Sequence, residues 1–502
     1  MKRLDHPLIE KIKLKCAPVV LYDCFKTLPY SFFLDSALPS AKLGRFSYIG
    51  FEPFLVFKSK NDRITIDRHN MRDTLTGNPF SILKRLLGEF KMERPGNLPF
   101  SFIGGGVGYF SYDLKNFTER LPDISTDDIG VPDCVMCFYD TVLAFDHAKE
   151  DFFIISSGFP EKGAKRLYRQ KVRLESLKNR IRALGSLSTD FPAWKPVLTK
   201  KCGLTGSIIP QSNFTKKSYI KTVERAKEYI KAGDIYQVNL SQRFKFNLDM
   251  EAFDLYKILR TINPAPFASF LNFGKVKIAS SSPERFLRKE GFLIQTRPIK
   301  GTRPRGWNLH EDTRLKNELI ASAKDRAENL MIIDLERNDL GRICEYGSVR
   351  VTEFMTCEEY STVFHLVSTV EGKLRKNTDA IDCLISCFPG GSITGAPKIR
   401  SMEIIEELEP SKRSVYTGSI GYIGFDGNMD TSIVIRTFII NGKEAYFQAG
   451  GGIVYDSRPL AEYEETLHKA KALLESIRFF NHVLSKENSI GIGHDYAGSI
   501  RK

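Results

Sequence analysis

The sequence predicts an α+β fold built on antiparallel sheets. Three observations point there. Strand-like segments come in groups between helices, whereas a parallel sheet would alternate strand and helix. Those segments are short and are punctuated by Pro and Gly. The helical segments are amphipathic and stop at glycines such as Gly185 and Gly233.

Taken in order, "YSFFLDSALPSAKLGRFSYIGFEPFLVFKS" reads as strands broken by turns. "SFIGGGVGYFSYDL" is Gly-rich, but no helical pattern follows it. It reads as tightly turned strands and not as a dinucleotide-binding turn. "AKRLYRQKVRLESLKNRIRALG" is an amphipathic helix ending at Gly185. The polar, irregular stretch that follows reads as a linker. The chain therefore divides into an N-terminal region 1–185, a linker 186–211, a catalytic region 212–480 and a tail 481–502.

The catalytic region opens on the helix "TKKSYIKTVERAKEYIKAG", with Tyr219, Ile220, Val223, Ala226 and Ile230 on one stripe. "DIYQVNLSQRFKFNL" and "FASFLNFGKVKIASSSP" follow as strands. One helix is expected through "RLKNELIASAKDRAENLMIIDLERNDL". Next come the strand "VFHLVSTVEGKL", the loop "CFPGGSITGAPK" and the helix "IRSMEIIEELEP". Strands "SVYTGSIGYIGF", "TSIVIRTFIIN" and "EAYFQAGGGIVY" precede a closing helix from about Pro459.

The chain has 502 residues, enough for two domains or one large composite one. Its formal net charge of +14 favours anionic partners without choosing among them. Acids and bases are interleaved and no block of five like charges occurs, so nucleic acid is not an expected partner. The nine cysteines are scattered, and Cys134 and Cys137 form a lone C-x-x-C inside an apolar stretch. Packed thiols in a reducing compartment are the expectation. No signal-peptide core and no run of eighteen apolar residues appears, so the expected setting is cytoplasmic, with no membrane partner.

Several side chains have the makings of a site. Asp325 and Glu328 lie three apart on a predicted helix, and Glu462 and Glu465 repeat that spacing on the closing one. Such pairs usually form a solvated face. Here one pair precedes the apolar run "NLMII", and the other follows the glycines of "QAGGGIVYDS". Carboxylates from two helices, with no His or Cys beside them, suit Mg²⁺. "FPGGSITGAPK" lacks the GK[ST] element of a phosphate loop, but it leads into a helix start that could hold an anion such as a carboxylate. His365 lies in mid-strand, where a histidine is ordinarily a satisfied core residue. Arg436 stands in an apolar strand and needs an anionic partner. Lys300 in "TRPIKGTRPRG" would be a nucleophile only if burial or neighbouring cations lowered its pKa. Glu284 in "SSPERF" could act as the matching general acid.

The stretches "SSPERFL", "PIKGT", "KDRAENLMIIDLERNDLGR", "HLVSTVEGKL", "FPGGSITGAPKIRSMEIIEELEP", "GSIGYIGFDGNMDTSIVIRT" and "QAGGGIVYDSRPLAEYEET" resemble, in order and length, the chorismate-utilising enzymes. The likeness covers residues from about 212 to 478. It implies the sandwich of antiparallel sheets flanked by helices found in anthranilate synthase component I. Within the family, "PIKGT" resembles the aminodeoxychorismate synthases, whereas anthranilate synthases resemble "PIAGT" at this point.

That likeness implies that Lys300 attacks C2 of chorismate while Glu284 protonates the departing C4 hydroxyl. Ammonia then takes C4 and expels the lysine, giving 4-amino-4-deoxychorismate, a precursor of 4-aminobenzoate and folate. It further implies Mg²⁺ held by Glu328 and Glu465, with Asp325 and Glu462 behind them. Tyr416, Arg436 and the backbone at Gly450 and Gly452 would bind the enolpyruvyl carboxylate. Ser392 would lie near the substrate, His365 would face the ring, and Lys469 would line the water side of the pocket. Ser36 in "LDSA" sits where relatives carry an effector pocket for tryptophan, although the pattern departs from "LLESS". None of the cysteines lies in the G-x-C-x-G context of a glutaminase, so ammonia is expected from a separate glutamine amidotransferase subunit. The rival expectation is anthranilate synthase component I.

Overall fold

A computed structural model describes residues 6–38, 43–68, 71–96, 98–185, 208–360 and 363–490. Two twelve-stranded antiparallel sheets form its body. The first sheet runs from Leu8–Ile12 at one edge, through Ser31–Asp35, Phe267–Phe273, Val276–Ser282 and Thr437–Asn441, to Glu444–Ile453 and Gln237–Asn247. The second runs from Ile299–Pro304 and Val363–Lys373, through Arg285–Glu290, Met429–Ile433 and Ser419–Gly424, to Gly105–Phe110 and Cys134–Tyr139.

Both sheets cross the sequence boundary between the early and late regions. Ser31–Asp35 pairs with Phe267–Phe273 in one, and Gly105–Phe110 pairs with Ser419–Gly424 in the other. The linker 186–211 lies outside the described residues up to 207, and the tail lies outside them from 491.

The two-residue strand period decides which core each side chain enters. Phe32 points between the sheets, where its ring meets Tyr139 at 4.6 Å. Phe33 points the other way, stacked on Tyr22 at 5.4 Å. The inter-sheet core gathers Tyr48, Phe102 and Tyr422. The outer core packs the helices Ala252–Ile262 and Pro459–Ile490 onto the first sheet through Phe253, Leu255 and Leu473.

The Gly-rich stretch is a central strand. A Cβ on Gly108 would fall 1.8 Å from the Val135 carbonyl oxygen, so only glycine allows that approach. Cys134 and Cys137 are buried in the neighbouring strand, and burial pushes the Cys137 thiol up to about 12. Among the described residues, no helix is long and apolar enough to cross a membrane.

Two expected elements differ. The helix expected from Arg314 to Leu340 is two helices, Leu309–Ala321 and Ala323–Gly341. At Ser322 ψ is 108° and the hydroxyl accepts from the Asp325 N–H, so the serine caps a new helix where it would weaken a continuous one. "TSIVIRTFIIN" is likewise not one strand. Met429–Ile433 belongs to the second sheet and Thr437–Asn441 to the first. Arg436 sits at the crossing with φ of +54°, outside either strand.

A second crossing lies beside it. The chain leaves the first sheet at Ser282 and enters the second at Arg285, with Glu284 between. The crossings are tied by Ser281 N donating to Arg436 O and Ile433 N donating to Glu284 O, both at 3.1 Å.

Candidate active site

Lys300 lies on Ile299–Pro304, and its Nζ donates to the Ser392 carbonyl at 2.9 Å. Ser392 is held in a single 3₁₀ turn, Gly391–Ile393. Its hydroxyl hydrogen-bonds the Glu284 carboxylate, which also accepts from Ile299 N at 3.4 Å. Lysine, glutamate and serine thus converge at the seam between the sheets. Burial lowers the Lys300 pKa and Lys469 adds to that, while Glu328, Glu284 and Glu465 work against it. Burial raises the Glu284 pKa, with Ser392 and Lys300 pulling the other way. The two shifts run toward a neutral amine and a protonated carboxyl, the states in which a lysine can attack and a glutamic acid can donate a proton.

Lys469 sits one turn past Glu465 on Pro459–Ile490. Its Nζ reaches Glu465 at 2.7 Å and donates to Gly450 O at 3.1 Å. Burial would raise the Glu465 pKa, but Lys469 outweighs it and holds this carboxylate below its usual range. Glu462 is the opposite case. Burial raises it and the nearby Glu465 charge adds to the rise, although Ser457 Oγ donates to its Oε1 at 2.6 Å. Its other oxygen, Oε2, is buried with no hydrogen-bond partner among the described residues. Gly451 allows both glutamates in, since a Cβ there would lie 3.2 Å from Glu465 Oε1 and 3.4 Å from Glu462 Oε2.

Across the site, Glu328 on Ala323–Gly341 is raised by burial against the pull of Lys300, and Lys324 stands 3.9 Å from it. Asp325 takes a different partner: Arg303 Nη2 donates to its Oδ2 at 3.1 Å.

The carboxylates fit a hard cation. Glu328 and Glu465 offer all-oxygen donors from two helices, as Mg²⁺ prefers, and among the described residues Glu462 Oε2 beside Glu465 is buried and unpartnered. No group of three or more ligating side chains among the described residues encloses a metal unaided. Mg²⁺ takes few protein oxygens and fills its shell with water and substrate.

The other wall is cationic and aromatic. Arg436 Nη1 donates to Asn263 Oδ1 at 3.1 Å. Among the described residues no carboxylate pairs with this arginine, and burial lowers its pKa. A guanidinium so placed is ready for an anionic ligand. His365 shares a 2.8 Å hydrogen bond with Thr302 Oγ1, the residue opposite it in the strand ladder. Burial, and then Arg436, push its pKa down to about 3, so the ring is neutral. Tyr416 is buried in the turn before Ser419–Gly424. Gly450 and Gly452 lie in Glu444–Ile453. A Cβ on Gly450 would meet Leu240 O at 2.4 Å, and one on Gly452 would meet Gln237 Nε2 at 2.0 Å.

Gln237 and Asn263 are absent from the expected site. Gln237 is buried beside Gly452, with both side-chain polar atoms unpartnered among the described residues. Its sequence signal is an amide in the strand "DIYQVNL", where Asn239 supplies a second. Asn263 carries no comparable signal.

Ser36 stands apart from this cluster. Its hydroxyl donates to Phe46 O at 2.8 Å. It lines a cavity of about 310 Å³ between the sheets, together with Tyr48, Arg285, Arg288, Tyr422 and Asp430.

Residues 34–475 match the chorismate binding enzyme family. Anthranilate synthase component 1 of Acetivibrio thermocellus is 41% identical over 462 residues, covering 92% of this chain and 92% of that one. Aminodeoxychorismate synthase component 1 of Bacillus subtilis is 40% identical over 444 residues, covering 88% of this chain and 91% of that one. Among solved structures, anthranilate synthase component I of Streptococcus pneumoniae superposes with a TM-score of 0.73 at 34% identity, covering 87% of this chain and 93% of that one.

Proposed function

The chain belongs to the chorismate binding enzymes, and from that premise we propose that it aminates chorismate at C4 to give 4-amino-4-deoxychorismate. The observation that supports this most is the placement of Lys300, half-buried and hydrogen-bonded to the Ser392 carbonyl, with the Glu284 carboxylate held by the Ser392 hydroxyl.

In this reading the neutral Lys300 amine forms a bond to C2. The ring double bond shifts, the C4–O bond breaks, and the hydroxyl leaves as water with the Glu284 proton. Ammonia then bonds to C4, the double bond shifts back, and the C2–N bond breaks. The released lysine keeps its electron pair, and the proton shed by the incoming nitrogen returns to Glu284. One hard displacement becomes two easier ones. Arg436, Tyr416 and the backbone at Gly450 and Gly452 bind the enolpyruvyl carboxylate, and neutral His365 faces the ring without adding charge. Glu328 and Glu465 would hold Mg²⁺, which when bound neutralises the ring carboxylate. Glu462 and Asp325 stand behind them, with Asp325 steadied by Arg303.

Ammonia comes from a separate glutamine amidotransferase subunit. The Ser36 cavity is read as an effector or structural pocket.

A second reading, anthranilate synthase component I, has its own support. A relative of that name is 41% identical to this chain. It shares the substrate and differs in product. Incubating the purified chain with chorismate, Mg²⁺ and ammonium, followed by mass analysis, separates the two. The first reading predicts 4-amino-4-deoxychorismate and no fluorescent anthranilate. Anthranilate as the main product would establish the second.

A further inference from the structure

We propose that Arg413, locked to Glu409, is the positioning residue of the chorismate pocket. This deepens the proposed function and rests on it. The pair is sealed from water, with side-chain exposures of 2% and 3%. Arg413 Nε donates to Glu409 Oε2 at 2.9 Å, and Nη2 donates to Oε1 at 2.8 Å. The remaining N–H groups leave the pair. Nη1 donates to Ile393 O at 3.0 Å and to Thr417 Oγ1 at 3.4 Å, and Nη2 donates to Asn239 O at 2.7 Å. All five donors of the guanidinium are thereby used.

The destinations matter more than the count. Ile393 follows Ser392, the residue that receives Lys300 and touches Glu284. Asn239 lies opposite Gly452 in the strand ladder, and its side-chain amide reaches Ser392 O at 3.4 Å. Glu409 Oε1 accepts from both N and Oγ of Ser241 at 2.8 Å, and Ser241 lies opposite Gly450. The guanidinium carbon also lies 6.0 Å from the centre of the Tyr416 ring. One ion pair therefore fixes the backbone behind Gly450, Gly452 and Ser392, and backs Tyr416.

A pair serving stability alone could be replaced by apolar side chains at little cost. This one spends its hydrogen bonds on the carbonyls that shape the pocket. Lysine keeps the charge of arginine but has three donors on one atom and cannot span these points.

The test compares wild type, Arg413→Lys and Glu409→Gln. Each is checked for a cooperative thermal melt and then assayed for chorismate consumption, which is blind to which aminated product forms. The expected result is folded variants whose KM for chorismate rises on the order of tenfold to a hundredfold, as misplacement of binding groups would cause. The rate of forming the Lys300 adduct should fall with it. A folded Arg413→Lys with wild-type KM and adduct rate overturns the proposal. If that variant does not fold, Glu409→Gln decides: raised KM supports the proposal, and wild-type KM overturns it. Failure of both to fold also overturns it, because the pair would then hold the fold and not the site. Wild type that consumes no chorismate under these conditions would refute the proposed function itself, and this inference with it.

Discussion

Lys300 and Glu284 each reach Ser392, one through its carbonyl and the other through its hydroxyl. The reactive state has a neutral amine and a protonated carboxyl, and burial moves both groups toward it. On the proposed mechanism, activity should be lost as pH falls and protonates the lysine, and lost again as pH rises and strips the glutamic acid. Adduct formation measured without ammonia should therefore follow a bell-shaped pH profile. Glu284→Gln should keep the acidic limb, lose the alkaline one and run about a hundredfold slower or worse. A Gln variant with an unchanged alkaline limb would show that another group supplies the proton. Lys300→Ala should fold, bind chorismate and lose roughly a hundredfold or more of its amination rate at low ammonium. Unchanged turnover there would leave the lysine without a catalytic role. Both candidates stood out in the sequence because each lies in a short contiguous stretch, "PIKGT" and "SSPERF", and the structure brings both to Ser392. Gln237 did not, because its meaning depends on Gly452, which the strand ladder places beside it from far along the chain.

The helix Ala323–Gly341 offers a separate check on the burial that the site depends on. Glu336, on its inner face, is buried near Thr296, Asp339 and Lys398, and its pKa is pushed up to about 8, first by burial. Its folded pKa lies above the unfolded value of about 4.3. The stability that the protonated group allows is thus present below that unfolded value and is lost as pH rises toward 8. Glu336→Gln should remove this loss, so the melting temperatures of variant and wild type should diverge between pH 5 and 8 in favour of the variant. Parallel curves would show that Glu336 is not held protonated. The same helix shows why its start was misread. The apolar rhythm continues across Ser322, and only the hydroxyl bond to Asp325 N reveals the break. "IVIRTFII" misleads for a related reason. Apolar residues on both sides of Arg436 hide a change of sheet, and nothing in the sequence signals a positive φ at an arginine.

Seen whole, the candidate site lies where the two sheets exchange strands, so each sheet contributes residues to it. Glu284 and Arg436 occupy the two crossings, Lys300 comes from the edge of the second sheet, and Gly450 and Gly452 come from the first. Antiparallel strands and amphipathic helices were readable from period and punctuation. The interleaving of early and late strands in both sheets was not, because long-range pairing leaves no local pattern. The placement of carboxylates on separate helices predicts that Glu328→Ala or Glu465→Ala abolishes turnover while circular dichroism stays unchanged, and that chelation does the same to wild type. Full activity in either variant would exclude these ligands. Rigorously pure chain should use ammonium and not glutamine, and glutamine-dependent turnover would contradict the need for a partner. The most direct test is intact-mass analysis of wild type mixed with chorismate and Mg²⁺ in the absence of ammonia. The account predicts an adduct of chorismate less one water, mapping to the peptide that contains Lys300 and discharged by added ammonium. An enzyme that turns over chorismate with ammonium yet never carries that mass, or carries it on another residue, would contradict it.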